Sequence, residues 1–212
     1  MQSSPVSAVQ GGRQGAVNTI AALKVVPSGA ALGAEIVGVD LSQEVPADVQ
    51  AALRQAWADH MVLLFRGQNI NDDQLVAASG IFGGVQEAGS RKYYFSGGRG
   101  EKDHRISQNP GITLITNLDE SGNPVKDNGA LGSYEVMWHS DNTYMPVPPA
   151  GSMLYAIEIP PAGNGGDTSF SNQYMAYEEL PDDMKRAIHG KNQRDRKSTR
   201  LNSSHGYISY AV

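Results

Sequence analysis

Trp138-His139-Ser140-Asp141-Asn142-Thr143-Tyr144 places an imidazole and a carboxylate two residues apart, and on an extended strand such alternate side chains point to one side. His139 and Asp141 can therefore grip one metal ion. Five His and thirteen Asp in 212 residues give roughly 0.3 chance occurrences of His-x-Asp, so the surroundings must decide what the pair means. A loop, Asp127-Asn128-Gly129-Ala130-Leu131-Gly132-Ser133, precedes it, and a second, Met145-Pro146-Val147-Pro148-Pro149-Ala150-Gly151, follows. The motif is expected on a short strand between turns.

Ser152-Met153-Leu154-Tyr155-Ala156-Ile157-Glu158-Ile159 comes next, with the large residues Met153, Tyr155, Ile157 and Ile159 alternating with smaller or polar ones. That is the period of a half-buried strand. After Pro160-Pro161 and the turn Ala162-Gly163-Asn164-Gly165-Gly166, a third short run, Asp167-Thr168-Ser169-Phe170-Ser171, would bring a hydroxyl near the metal pair if the strands fold back. Three short strands around a metal suggest a jelly roll.

With these residues in view the chain resembles the iron(II) and 2-oxoglutarate-dependent dioxygenases of the taurine dioxygenase and 2,4-dichlorophenoxyacetate dioxygenase (TauD/TfdA) type. The likeness rests on the His139-Ser140-Asp141 segment, on Pro148-Pro149-Ala150-Gly151, on Gly165-Gly166-Asp167-Thr168 and on Ala176-Tyr177-Glu178-Glu179-Leu180-Pro181, all in the family's order. It extends more weakly through Gly33–Leu41 and His60–Arg66, and so covers about residues 22 to 190. It implies an α+β fold built on a double-stranded β-helix, the clavaminate-synthase-like jelly roll. It also implies Fe(II) held by two His and one carboxylate, with open positions for 2-oxoglutarate and O2. His139 and Asp141 would be two of the metal ligands, and Thr168 would donate its hydroxyl to a 2-oxoglutarate carboxylate. The implied reaction couples decarboxylation of 2-oxoglutarate to succinate with hydroxylation of an unactivated carbon in a small polar or anionic substrate.

Two family residues have no counterpart: a distal iron-binding His and, some ten residues beyond it, an Arg that pairs with 2-oxoglutarate. The jelly roll is accordingly expected to be incomplete at its C-terminus, and this fragment to be inactive. Asp195-Arg196-Lys197-Ser198-Thr199-Arg200-Leu201-Asn202-Ser203-Ser204-His205 looks like one reading frame of a sequencing-library adapter, and Ile208-Ser209-Tyr210-Ala211-Val212 like its continuation. Three parts are expected: a disordered N-terminus over 1–21, a partial dioxygenase domain over 22–190, and a non-native tail over 191–212, adapter-derived from about 195. Without that tail the body carries twelve basic against twenty-one acidic residues, a net charge of −9 rather than −5. Such a surface offers no electrostatic footprint for nucleic acid.

One domain fits 212 residues with 40% hydrophobic content. There is neither a membrane-length apolar stretch nor a secretory start, so a cytoplasmic enzyme is expected, and a homo-oligomer is left open for the full-length protein. Zero Cys excludes disulfides and thiolate metal sites.

Leu23–Val26 and Ala34–Val39 read as strands, and Pro46–Asp59 as a helix with Val49, Leu53 and Trp57 on its core face. Met61–Phe65 reads as a strand covered on both sides. A second helix is expected over about 71–82 after Asp72-Asp73, packing through Leu75, Val76 and Phe82, then a long loop over 84–110, and a last helix from Asp182 to His189 closed by Gly190. His60 and His189 read as helix-end residues, and His104 as an exposed loop residue.

The taurine-type relatives use a His in the stretch matching Val85–Tyr94, where this chain has none, which argues against taurine. Arg91 and Lys92 there read as solvated. Glu135 faces a cationic substrate or solvent, and Asn142, beside the metal pair, is a second substrate-side candidate. Asp141 sets aside halogenation, which needs a small residue there. A noncatalytic jelly-roll module binding a small molecule or a metal is the competing class. A gene encoding the distal His and Arg favours the enzyme, and a natural stop near residue 190 favours the module.

Overall fold

The computed structural model describes residues 18–86, 107–116, 118, 119, 121–123, 138, 140, 147–161, 163, 164 and 167–191. Its organising unit is a three-stranded sheet in the order β1-β2-β3. Strands β1 (Lys24–Pro27) and β2 (Ala34–Val37) pair antiparallel, with Lys24 opposite Val37 and Pro27 opposite Ala34. Ser28 organises the turn between them: its hydroxyl donates to the Leu32 carbonyl at 2.6 Å and accepts from the Ala30 amide at 3.1 Å. β2 was expected to run to Val39 but stops at Val37. Gly38 takes φ 83, and a Cβ there would collide with the Ala22 carbonyl, a conformation that ends the pleat and suits a residue without a Cβ.

Strand β3 (Leu63–Phe65) pairs parallel to β2, Ala34 opposite Leu63 and Ile36 opposite Phe65. A parallel pair needs a crossover, and α1 (Ala47–His60) supplies it. Val49 and Leu53, one turn apart, are 0% exposed, and Ala56 is buried beside them. Burying one such side chain contributes about 1.5–3 kcal/mol. Asp48 in the first turn and His60 in the last match the helix dipole.

The helix ends at Met61, a non-glycine residue at φ 64. The Met61 amide donates to the Trp57 carbonyl at 2.7 Å, and its carbonyl accepts from the Trp57 indole at 2.9 Å. These two bonds hold a left-handed turn that costs an ordinary residue roughly 1–2 kcal/mol.

Helix α2 (Asp72–Gly80) starts on a reciprocal cap: the Asn71 side chain accepts from the Gln74 amide, and the Gln74 side chain accepts from the Asn71 amide. Arg54 donates to the Ile81 carbonyl at 3.0 Å, placing a cation at the negative end of α2. The core lies between the sheet and these two helices, built from Ile36, Val39, Leu41, Val45, Val49, Leu53, Ala56, Ile70, Ala78 and Ile81. Trp57 and Phe82 meet edge to face at its rim, with ring centroids 5.5 Å apart. The apolar run around β3 is not covered on both sides as expected: Leu64 is 43% exposed, because the helices cover only the face carrying Leu63 and Phe65.

The described chain begins at Asn18, four residues before the expected start of the fold. Asn18 is 3% exposed. It accepts from the Asp40 amide and donates to the Asp40 and Glu44 carbonyls, all within 3.0 Å. Residues 1–17 lie outside the described residues.

Beyond Gly151 the sequence pattern only partly becomes structure. Residues 152–159 and 167–171 join no sheet among the described residues, although the alternation is kept over the first half. Gly151, Met153 and Tyr155 are half-buried while Ser152, Leu154 and Ala156 are exposed. Ile157 and Ile159, expected on the covered side, are exposed, since they lie past the reach of α1 and α2. A helix the pattern did not announce, α3 (Gln173–Glu178), starts on Asn172, whose side chain accepts from the Met175 amide. The last helix, α4 (Asp182–Ile188), stops one residue before the expected His189, and Gly190 at φ 69 breaks the chain direction. No helix among the described residues is long and apolar enough to cross a membrane.

Candidate metal and cosubstrate site

The segment that follows the His139-Ser140-Asp141 motif is seated on the helical layer at three points. Gly151, last residue of Pro148-Pro149-Ala150-Gly151, lies on the six-membered ring of Trp57, so that a Cβ there would stand 2.6 Å from Cζ2 and 3.2 Å from Cη2. Two residues on, Met153 packs against the core, its sulfur 3.8 Å from the Ser79 hydroxyl, which itself donates to the Leu75 carbonyl at 2.9 Å. Two further on, the Tyr155 hydroxyl accepts from the Ile70 amide at 3.4 Å and donates to the Gln68 carbonyl at 3.5 Å. Equal spacing at 151, 153 and 155 is what extended backbone gives when one face docks.

The same layer is tied from below by Gln68. Its side chain accepts from the Leu41 amide at 2.8 Å and donates to the Val39 carbonyl at 3.1 Å and the Arg66 carbonyl at 3.2 Å. The residue whose carbonyl receives Tyr155 is thus itself pinned to the loop after β2.

Thr168 is exposed, as are its neighbours Asp167 and Ser169. Four residues after it, Asn172 both caps α3 and donates to the Ala31 carbonyl at 2.7 Å, fixing the end of the Thr168 run against the β1–β2 turn. The Ala176–Pro181 motif forms the end of α3 and the turn into α4, where Lys185 donates to the Glu178 carbonyl at 2.8 Å and lies 5.6 Å from the centre of the Tyr177 ring.

His139, Asp141, Asn142 and Glu135 lie outside the described residues, as do Arg91, Lys92, His104 and the tail from 192 on. Of the motif itself Trp138, 64% exposed, and Ser140, also exposed, are described. Among the described residues no three His, Cys, Asp or Glu side chains are grouped to hold a metal ion. His60 ends α1, its carbonyl accepting from the Gly33 and Val62 amides, and His189 follows α4. Both sit where helix-end residues were expected.

Sequence reasoning did not single out Trp57 as the seat of Gly151, nor Leu154 as a large apolar residue facing away from the helices. The signal for Leu154 was its place out of phase with Met153 and Tyr155.

The sequence matches the family described as Taurine catabolism dioxygenase TauD, TfdA family over residues 24–208, a span that runs past Gly190 into the stretch expected to be non-native. It is 36% identical over 165 residues to pentalenolactone F synthase of Streptomyces avermitilis, covering 76% of this chain and 48% of that protein. It is 30% identical over 180 residues to the (S)-phenoxypropionate/alpha-ketoglutarate-dioxygenase of Delftia acidovorans, covering 81% of this chain and 54% of that protein. Among solved structures, a taurine dioxygenase from Burkholderia xenovorans superimposes with a TM-score of 0.55 at 25% identity, over 80% of this chain and 51% of that one. The likeness is to a jelly-roll dioxygenase fold. The chain spans about half the length of the curated relatives it matches.

Proposed function

The chain belongs to the taurine catabolism dioxygenase TauD, TfdA family, and from that premise we propose that its gene product is an Fe(II)- and 2-oxoglutarate-dependent dioxygenase. The observation that carries this is His139-Ser140-Asp141 lying inside the family match, with Gly165-Gly166-Asp167-Thr168 after it in the family's order. The donor chemistry fits: an imidazole and a carboxylate suit ferrous iron and leave positions for small oxygen ligands. His139 and Asp141 would hold the metal. When bound, iron and 2-oxoglutarate supply oxidation of an unactivated C–H bond by O2, with succinate and carbon dioxide as coproducts.

The chain's own residues bind and orient. Thr168 presents a hydroxyl to an anionic oxygen of 2-oxoglutarate, a charge-assisted bond stronger than a neutral one. The docked face at Gly151, Met153 and Tyr155 holds the intervening segment in one direction. We read the prime substrate as a small polar or anionic organic molecule, with Glu135 and Asn142 as residues facing it. The names of two relatives, a phenoxypropionate dioxygenase and a sulfate ester dioxygenase, support an anionic group. Taurine is disfavoured by the absence of His between Val85 and Tyr94.

By itself the 212-residue chain is proposed to be inactive, because it supplies two metal ligands and lacks the distal His and the Arg. Residues from about 195 are proposed to be adapter-derived. Re-reading the gene past Gly190 checks both statements, and recovery of the same residues from clean DNA would remove the second. For the enzyme, iron(II) and 2-oxoglutarate added without oxygen to the full-length gene product should give a visible charge-transfer absorption, and Asp141→Ala should abolish it. An undiminished band in that variant would take Asp141 out of the metal site.

A further inference from the structure

We propose that Asn172 is a positioning residue for Thr168, tying the run that carries that hydroxyl to the β1–β2 turn so that an anionic ligand meets it in place. This rests on the iron and 2-oxoglutarate function proposed above.

The two ends of the Asn172 amide serve different purposes. Its oxygen accepts from the Met175 amide at 3.1 Å, which caps α3, and its nitrogen donates to the Ala31 carbonyl at 2.7 Å, 141 residues away in the chain. A cap alone asks only for an acceptor, and serine or aspartate serves as well. The second bond needs a donor on the same side chain, which an amide has and a carboxylate lacks. Starting α3 therefore accounts for one of the two bonds and leaves the shorter one unexplained.

The receiving end is held on both sides. Within the β1–β2 turn the Ser28 hydroxyl donates to the Leu32 carbonyl at 2.6 Å and accepts from the Ala30 amide at 3.1 Å, so both neighbours of Ala31 are fixed. The Ser28 amide closes the base of the turn on the Gly33 carbonyl at 2.9 Å, and the Gly33 amide donates to the His60 carbonyl at 2.8 Å. A bond to Ala31 thus anchors Asn172 to the sheet and to the end of α1.

Thr168, itself exposed, lies four residues before Asn172, within about 14 Å of chain. Residues 167–171 join no sheet among the described residues, so no ladder described there directs the run, and a fixed end at Asn172 limits where Thr168 can stand. A ligand that binds only the held arrangement loses affinity when the tie goes, by no more than the tie itself is worth. For one neutral hydrogen bond that is about two- to tenfold.

The test is anaerobic titration of the iron(II)-loaded full-length gene product with 2-oxoglutarate, read by the charge-transfer absorption, beside Mn(II) binding and thermal unfolding of each variant. Asn172→Ser keeps a capping oxygen but is too short to cap α3 and reach Ala31 together. It should weaken 2-oxoglutarate binding by about two- to tenfold and leave Mn(II) binding as in the parent. Ser28→Ala, which loosens the turn at the other end of the tie, should weaken binding in the same direction. Neither change should weaken it further in a Thr168→Ala background, because the tie acts through that hydroxyl. A merely structural role would lower affinity equally in both backgrounds.

Parent-like 2-oxoglutarate affinity in either variant, or an equal loss with and without Thr168, overturns the positioning role and leaves the proposed function standing. Mn(II) binding that falls in step with 2-oxoglutarate binding also overturns it, as general disruption. Absence of the absorption band in the parent protein overturns the proposed function and the positioning role with it.

Discussion

Replacing Gly151 by Ala asks whether the stretch after the His139-Ser140-Asp141 motif is truly seated on Trp57. The new Cβ would stand 2.6 Å from Cζ2 and 3.2 Å from Cη2 of the indole, where carbon contacts settle at about 3.5–4.0 Å. Something must therefore yield by about 1 Å. The ring is poorly free to do so, being braced edge-on by Phe82 and tethered through its N–H to the Met61 carbonyl.

Overpacking of this kind costs about 1–3 kcal/mol. If the ring tilts, the indole hydrogen bond adds about 1 kcal/mol more. Against this, Ala restricts the unfolded chain and returns about 0.4–1 kcal/mol, because Gly151 does not occupy the left-handed region. The balance is a destabilisation of about 1–3 kcal/mol.

Urea unfolding followed by tryptophan fluorescence measures it, with Trp57 and Trp138 as the two emitters. The same substitution in a Trp57→Leu background should be neutral or slightly stabilising, since the obstructing ring is gone. A Gly151→Ala protein as stable as its parent, or an equal loss in both backgrounds, would refute the contact.

Three further outcomes are expected. Gly38→Ala should be the harsher glycine change, losing about 1–2 kcal/mol to the left-handed backbone and about 1–3 kcal/mol to collision with the Ala22 carbonyl; a urea midpoint within error of the parent contradicts it. Asn18→Ala should cost about 2–4 kcal/mol, since three hydrogen bonds go and the half-buried Asp40 amide loses its partner, and Asn18→Asp should recover little because a carboxylate would face two carbonyl oxygens. Unchanged stability of Asn18→Ala would show that the segment before β1 is dispensable. Thr168→Ala in the full-length gene product should raise the Kd for 2-oxoglutarate by about tenfold or more, the worth of a hydrogen bond to a charged group; unaltered affinity excludes that role.

What the sequence disclosed follows the range of the interactions involved. α1 was legible because Val49, Leu53 and Trp57 repeat every four residues, and burial at 0% for the first two is the outcome that spacing encodes. α2 announced itself through Asp72-Asp73, although the Asn71–Gln74 cap that sets its first residue was not read. The apolar run at 61–65 looked two-sided because composition cannot say how many layers cover a strand, and here the helices lie on one face.

Asn18 was hidden for a related reason. A polar residue in a Ser- and Gly-rich stretch gives no sign that it will meet the backbone more than twenty residues away. Of the proposed site, His139 and Asp141 were picked out by their spacing and Thr168 by the family resemblance. The seat of the following segment was not, since a glycine on an indole ring depends on two positions 94 residues apart.

Among the described residues the sheet, α1 and α2 all fall within residues 24–80, which has a consequence in time. Every described strand partner of that layer, and the Asn18 latch, is made before Asn172, whose bond to Ala31 spans 141 residues. At the usual pace of translation, about 5–20 residues per second, the layer has about 5–18 s on the ribosome before α3 is synthesised. We expect it to gain protection while still tethered, with the far tie closing last. Limited proteolysis of arrested nascent chains would register that order, and a layer still fully cleavable after Asn172 has emerged would reverse it.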